Sequence, residues 1–158
     1  LNKTSRMKAP GRTEAERDDL IYVFTQRDRL AGLNPQTEKS HVVLIDQRNF
    51  GDVDVDAQGN IYISYGAPHY QIFVYNPEGE VLRKLGRRGG RIRFGPWKPD
   101  GMSVVYGLAV DSKGRAWAAE NDATPKRMSV WDGKTGAFIR LTARHLAQAQ
   151  PLTDQELA

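Results

Sequence analysis

The sequence predicts an all-β fold assembled from repeated sheets of four short antiparallel strands. Three observations predict it. One passage occurs twice, about 55 residues apart, as VDVDAQGNIYIS at residues 53–64 and LAVDSKGRAWAA at residues 108–119. A second matching pair follows, with QIFVYN at 71–76 and RMSVWD at 127–132. Short apolar runs alternate with Asp, Asn, Pro and Gly, which favour turns. Such units bury their faces only by stacking on one another.

Each complete copy predicts four strands in order. They lie at residues 52–55, 61–64, 72–75 and 80–85 in one copy, and at residues 107–110, 116–119, 128–131 and 137–141 in the other. Asp or Asn begins the turns between strands one and two and between strands three and four, because these side chains bond their own backbone two residues on. We interpret four such residues as structural rather than catalytic: Asp56, Asn76, Asp111 and Asp132.

A partial third copy precedes the two complete ones. It predicts strands at residues 20–25, 29–33 and 41–46, and RLAGLNPQT at 29–37 aligns without gaps with RMSVWDGKT at 127–135. It lacks a first strand. We interpret the polar segment 1–19 as an N-terminal arm placed to supply that strand. Residues 143–158 form a C-terminal tail in which Thr153 and Glu156 predict the capping box of a helix start.

The composition limits the classes of protein to which this sequence can belong. The 158 residues suffice for one modest domain, and 39% hydrophobic with 27% charged residues is typical of a soluble globular protein. No apolar run approaches the roughly 20 residues that span a bilayer, so we expect no membrane partner. No signal peptide is evident at the N-terminus, and the compartment stays open. The absence of cysteine excludes disulfides, thiolate ligands and a Cys nucleophile.

These residues resemble the NHL-type β-propeller repeat. GLAVDSKGRAWAA at 107–119 matches that repeat almost position for position, as does KRMSVWD at 126–132. The other complete copy departs at Gln71, where Arg is usual, and at Asp52, where Gly is usual. The resemblance covers about residues 20–142. It implies propeller-like blades at 20–46 (partial), 51–86 and 106–142 (complete), with a long basic loop at 87–105. The recurring aromatics then form the core between blades: Tyr62, Tyr75, Trp117 and Trp131.

One departure from the resemblance is large. Such propellers close with about five to seven blades of roughly 40–45 residues, and this chain has room for fewer than three. We therefore expect an incomplete ring in one chain. Either the chain is a piece of a longer protein, or several copies, as a dimer or a trimer, complete a ring together.

The resemblance places ligand binding in the loops that join strands two to three and four to one. The residues expected to bind a ligand or partner are Tyr65, His69, Tyr106, Glu120, Asn121 and Asp122. The loop at 120–126 offers oxygen ligands, but it lacks the alternating ligands and the glycine bend of a calcium loop. Lyases with this propeller hold a metal through several histidines, and only His69 falls in such a loop here. We therefore expect no metal and no cofactor.

The segment 83–98 carries seven basic residues and no acidic one. Clustered Arg can neutralise phosphates, and Phe94 and Trp97 are placed to stack on unpaired bases. The residues expected to bind a polyanion such as RNA are Arg87, Arg88, Arg91, Arg93 and Lys98. The alternative is that the segment bridges to an acidic surface on a neighbouring subunit or domain.

The leading functional hypothesis is a non-catalytic interaction module that binds a protein or another copy of itself. One alternative is a segment of a propeller-type lyase or hydrolase whose channel site other blades complete. The other is RNA or polyanion binding through residues 83–98. The sequence contains no G-x-S-x-G elbow and no evident Ser–His–Asp spacing. Whether the protein is an enzyme stays open, with the pattern favouring no catalysis.

Overall fold

The structure is a computed structural model that describes residues 5–7, 20–26, 29–45, 50–91, 98–121 and 126–142. Within these ranges the chain forms three four-stranded antiparallel sheets, which confirms the predicted all-β fold of four-stranded blades. The strands are β1 Ser5–Met7, β2 Leu20–Gln26, β3 Arg29–Leu33 and β4 Ser40–Ile45 in the first sheet; β5 Phe50–Val55, β6 Ile61–Tyr65, β7 Ile72–Tyr75 and β8 Val81–Leu85 in the second; and β9 Val105–Val110, β10 Arg115–Glu120, β11 Arg127–Asp132 and β12 Phe138–Thr142 in the third.

The first strand of the first sheet comes from the segment that the sequence assigns to the N-terminal arm. Strand β1 pairs with β2, with Ser5 opposite Tyr22 and Met7 opposite Leu20. All three sheets therefore share one strand order, in which each strand pairs with the next along the chain. The rest of the predicted arm and the predicted tail at 143–158 lie outside the described residues. Among the residues described there is also no helix that is long and apolar enough to cross a membrane.

The turns form as predicted, and their Asp and Asn side chains have the structural role assigned to them. The Asp56 carboxylate accepts hydrogen bonds from the backbone N–H groups of Gln58 and Asn60, both at 2.9 Å. Asp111 accepts the equivalent bonds from Lys113 and Arg115. Asn76 and Asp132 likewise accept backbone N–H bonds in the turns before β8 and β12. These bonds satisfy backbone donors that the strand ladder leaves open.

The second sheet is buried on both faces because it stacks between the other two. Every residue of β6 and β7 is buried, and the period-two alternation of a strand directs neighbouring side chains to opposite faces. The cluster between the first and second sheets contains Tyr22, Leu30, Val53, Val55, Ile61, Ile63, Tyr65, Phe73 and Tyr75. The cluster between the second and third sheets contains Tyr62, Ile72, Val74, Leu85, Met102, Val105, Leu108, Ala116, Ala118 and Trp131.

Three of the four aromatics predicted to lie in the core do so. Tyr62, Tyr75 and Trp131 are almost completely buried. The prediction is wrong for Trp117, which is only partly buried. Trp117 lies on the side of the third sheet that faces away from the second, and no further sheet covers that side in the described part of the chain.

The first strands of neighbouring sheets lie side by side, as the innermost strands of propeller blades do. The Asp52 carboxylate accepts a hydrogen bond from the backbone N–H of Leu108 at 2.8 Å, and Asp54 accepts one from Val110 at 2.7 Å. Asp52 is the residue that departs from the NHL-type pattern, and here it joins two sheets. Contacts run from the first sheet to the second and from the second to the third. The row of described sheets is open at both ends, so the ring is incomplete.

Candidate binding face at the loop end of the sheets

The connections after the second and fourth strands meet at one end of the sheets, which we name the loop end. It comprises residues 66–71, residues 86–91 and 98–104 of the long loop between β8 and β9, residues 121 and 126, and residues 105–106 at the start of β9. The backbone N–H of Gly89 donates to the carbonyl of His69 at 2.9 Å, and that of Arg91 donates to Met102 at 2.9 Å. The long loop is therefore folded back on itself and onto the preceding connection.

A buried charged network fastens this loop to the third sheet. Glu120, whose side chain is fully buried, accepts hydrogen bonds from Arg91 at 2.9 Å and from Arg127 at 2.7 Å. It also accepts one from the backbone N–H of Ser103 at 2.5 Å. Arg127 donates further to the carbonyls of Pro99 and Gly101. Burial lowers the pKa of Arg127, and the Glu120 carboxylate opposes this effect. Because all these groups are paired, the buried charges are tolerated.

Two of the predicted binding residues are parts of the scaffold. The Glu120 carboxylate is enclosed by the network just described. Tyr65 is buried between the first and second sheets, where its ring centroid lies 4.7 Å from that of Phe73 and its hydroxyl lies 2.6 Å from the hydroxyl of Tyr75. Neither side chain is presented at the surface of the loop end.

Other predicted residues do lie at that surface. Tyr106, near the start of β9, is 63% exposed, and Asn121 is exposed just after β10. His69 is partly buried, with its ring centroid 5.6 Å from that of Phe73. Asp122 lies outside the described residues. The structure thus brings Tyr106, Asn121 and His69 to the same end of the sheets.

Two arginines of the basic segment at 83–98 pair with acidic residues that lie outside that segment. Arg87 forms an ion pair with Asp100 at 2.9 Å, and Arg91 forms the one with Glu120. The Lys84 ammonium lies 4.5 Å from the centroid of the Phe73 ring. Of the other residues expected to bind a polyanion, Arg88 and Lys98 are exposed, and Arg93 lies outside the described residues.

Sequence reasoning missed the pairing of Glu120 with Arg127, although a signal was present. These residues are directly opposite in the β10–β11 ladder, and opposite charges at facing positions of a hairpin attract. The prediction treated Glu120 as the start of a polar loop. The pairing of Glu120 with Arg91 and Ser103 depends on the path of the long loop, and the strand pattern does not specify that path.

The described residues hold no obvious reaction centre. They contain no group of three or more His, Asp or Glu side chains placed to hold a metal ion. An open cleft of about 390 Å³ lies between the second and third sheets, lined in part by Arg87, Asp100 and Phe138. Its charged lining residues are Lys84, Arg87 and Asp100, and the last two are the members of the ion pair above.

Comparison with known proteins gives similarity to solved structures alone. No protein-family model matches the chain, and no match among curated proteins was found. A chain in the crystal structure of the mitotic checkpoint complex is similar in fold, with 15% identity, a TM-score of 0.45, and coverage of 89% of this chain and 56% of that chain. The chain thus spans little more than half the length of the chain it matches. The fold assignment rests on the strand order and register given above.

Proposed function

We propose that the protein is a non-catalytic interaction module, whose propeller-like blades present the loop end to a protein partner. The observation that supports this most directly is the 63% exposure of Tyr106 at the loop end. Three charged groups at this end, Glu120, Arg91 and Arg127, are already occupied, because both arginines are paired with the Glu120 carboxylate. We further propose that the blades are of the NHL type, on the residue pattern of 107–132.

The physical properties of the loop end suit protein binding. Exposed tyrosines are enriched among the residues that dominate binding energy at protein interfaces, because a rigid ring buries much area and ends in a hydroxyl. Polar Asn121 and the exposed cations Arg88 and Lys98 give this end a polar surround. The buried Glu120 network holds the adjoining loop in place, which lowers the entropy lost on binding.

The test is a comparison of partner capture by matched variants. We expect that immobilised wild-type protein retains a protein from a cell extract, and that Tyr106→Ser weakens its retention at least tenfold. Val81→Ser is the control, because Val81 is 45% exposed on the outer strand β8, away from the loop end. Equal loss in both variants, or no loss in Tyr106→Ser, contradicts the proposal. Circular dichroism of each variant establishes that it is folded.

The same experiment separates the two alternatives. RNA or polyanion binding predicts retention of nucleic acid that falls steeply with salt and falls again when Arg88 and Lys98 are neutralised. A propeller-type lyase or hydrolase predicts that a metal or a small ligand accompanies the purified protein. Either result in place of protein capture overturns the proposed function.

A further inference from the structure

The same register position carries an aromatic residue in each sheet. The β-ladders pair Tyr22 with Gly32, Tyr62 with Val74 and Trp117 with Val130. Tyr22 is 6% exposed in the core cluster between the first two sheets, and Tyr62 is 1% exposed in the cluster between the second and third. We name the side of a sheet that carries this aromatic its outgoing face, because it packs on the sheet that follows.

A second position of the outgoing face is buried in the first two sheets and exposed in the third. Leu30, Ile72 and Met128 each follow the first residue of the aligned segments at 29–33, 71–75 and 127–131. Leu30 and Ile72 are completely buried by the following sheet, whereas Met128 is 39% exposed. The third sheet therefore carries the apolar residues of an outgoing face, with no following sheet against them in the described ranges.

A polar contact completes the outgoing face. Arg83, opposite Val74, donates a hydrogen bond to the carbonyl of Gly133 in the β11–β12 turn of the next sheet. Arg140 is opposite Val130, so it occupies the equivalent position in the third sheet. Arg140 is exposed, and its guanidinium lies 5.5 Å from the centroid of the Trp117 ring. It has the position of a donor to the turn of a following sheet.

The first sheet has the complementary feature, an incoming face with no preceding sheet in the described part of the chain. The incoming faces of the other sheets are built on the pairs Ile61–Tyr75 with Ile63–Phe73, and Ala116–Trp131 with Ala118–Ser129. The equivalent pairs of the first sheet are Ile21–Leu33 and Val23–Ala31, which are all apolar in sequence. Of these, Ala31 is buried and Leu33 is partly exposed.

The first sheet contains a turn equivalent to the β11–β12 turn to which Arg83 donates, and Arg140 would donate to such a turn in a following sheet. Asn34 accepts hydrogen bonds from the backbone N–H groups of Gln36 and Thr37, which is the pattern of Asp132 with Lys134 and Thr135. Pro35 therefore occupies the position of Gly133. It is exposed, and it keeps the backbone carbonyl that serves as the acceptor.

We infer that the outgoing face of the third sheet binds the incoming face of the first sheet in a second copy of this chain. The inference rests on the proposed propeller-type interaction module. A head-to-tail contact of this kind forms a ring when its rotation closes, and two copies supply six sheets, within the range of four to eight blades of known propellers. The occupant is a second copy because the contact it needs continues an interface that already occurs twice within the chain.

The test is the solution mass by light scattering, over a series of concentrations. We expect twice the 17.7 kDa of one chain. Met128→Glu places a charge on the outgoing face and Leu33→Glu places one on the incoming face, and each variant is expected to be monomeric. An equimolar mixture of the two is expected to regain dimers, because one intact outgoing face then meets one intact incoming face. Arg140→Glu provides a second outgoing-face variant at an exposed position.

Leu82→Glu is the matched control, because Leu82 is 43% exposed on β8, outside both faces. It is expected to stay dimeric. A monomeric wild type overturns the inference, as does a dimer that survives Leu33→Glu, since that result means that two outgoing faces pair with each other. A series of growing masses contradicts ring closure. None of these results affects the Tyr106 capture experiment, so failure of the ring and failure of the proposed partner binding are told apart.

Discussion

The second and third sheets anchor the long loop between β8 and β9 through different kinds of side chain. Tyr65 and Gln71 flank the connection from β6 to β7, and Glu120 and Arg127 flank that from β10 to β11. In the second sheet, Tyr65 is part of an aromatic core and the Gln71 amide donates to the carbonyl of Gly86 at 2.7 Å. In the third sheet, the pair is charged and holds the far part of the long loop through Ser103 and the carbonyls of Pro99 and Gly101. One strand geometry therefore accommodates either a neutral or a charged anchor.

The two anchors differ in how much is lost when one partner is removed. A neutral hydrogen bond contributes about 1 kcal/mol, and leaving its buried partner unsatisfied costs about 1–3 kcal/mol. Removing one member of a buried ion pair costs about 3–5 kcal/mol, because a buried charge is left without compensation. The difference predicts an order of effects for matched substitutions at the two positions.

The largest expected effect is that of Glu120→Ala. This change leaves the Arg127 guanidinium, with a side chain only 2% exposed, without its carboxylate. We expect the free energy of unfolding to fall by about 3–5 kcal/mol, as measured by urea denaturation. Asp100→Ala is the control, because the Arg87–Asp100 pair is 35% and 39% exposed and such pairs contribute at most about 1 kcal/mol. Equal losses in the two variants would contradict a buried network.

An intermediate effect is expected for Gln71→Ala, the equivalent change in the second sheet. Gln71 is 7% exposed, and its loss leaves the carbonyl of Gly86 without this donor. We expect a loss of about 1–2 kcal/mol in the same denaturation experiment. Amide hydrogen exchange near residues 86–91 should accelerate, while exchange at Ser103 should not. A loss as large as that of Glu120→Ala would mean that the neutral anchor is no weaker than the charged one.

The comparison of the two anchors also shows which parts of the structure the sequence predicts and which it does not. Strand positions and turns follow from local patterns, because alternation and turn residues act over a few neighbours. The prediction placed β6 and β7 within one residue of their observed bounds. The contacts that the sequence does not indicate depend on distant partners. Tyr65 has the alternation of a strand residue, but its place in the core depends on the first sheet. The pairing of Arg87 and Arg91 depends on the return of the long loop to Asp100 and Glu120.

The smallest expected effect concerns the turn residues Asp56 and Asp111, which differ in their side-chain partners. Asp56 bonds the neutral side chains of Asn60 and Tyr62, whereas Asp111 bonds Arg115 and the indole N–H of Trp117. Burial alone raises the pKa of Asp111, but the bonds from Arg115, Trp117 and the turn backbone outweigh it and hold the pKa well below the ordinary 3.8.

A carboxyl group with a lowered pKa in the folded state stabilises the fold above its unfolded pKa, and this contribution is lost as the pH falls through the folded pKa. Asp111→Asn removes the charge at every pH. We therefore expect the free energy of unfolding of the wild type to exceed that of the variant by about 1 kcal/mol or less at pH 5–8, because the Arg115–Asp111 pair is partly exposed. We expect this difference to shrink below about pH 4. In an Arg115→Met background the pH-dependent part should become smaller. If it stays undiminished there, the lowered pKa of Asp111 does not come from Arg115, and the distinction between the two turns rests on the indole N–H of Trp117.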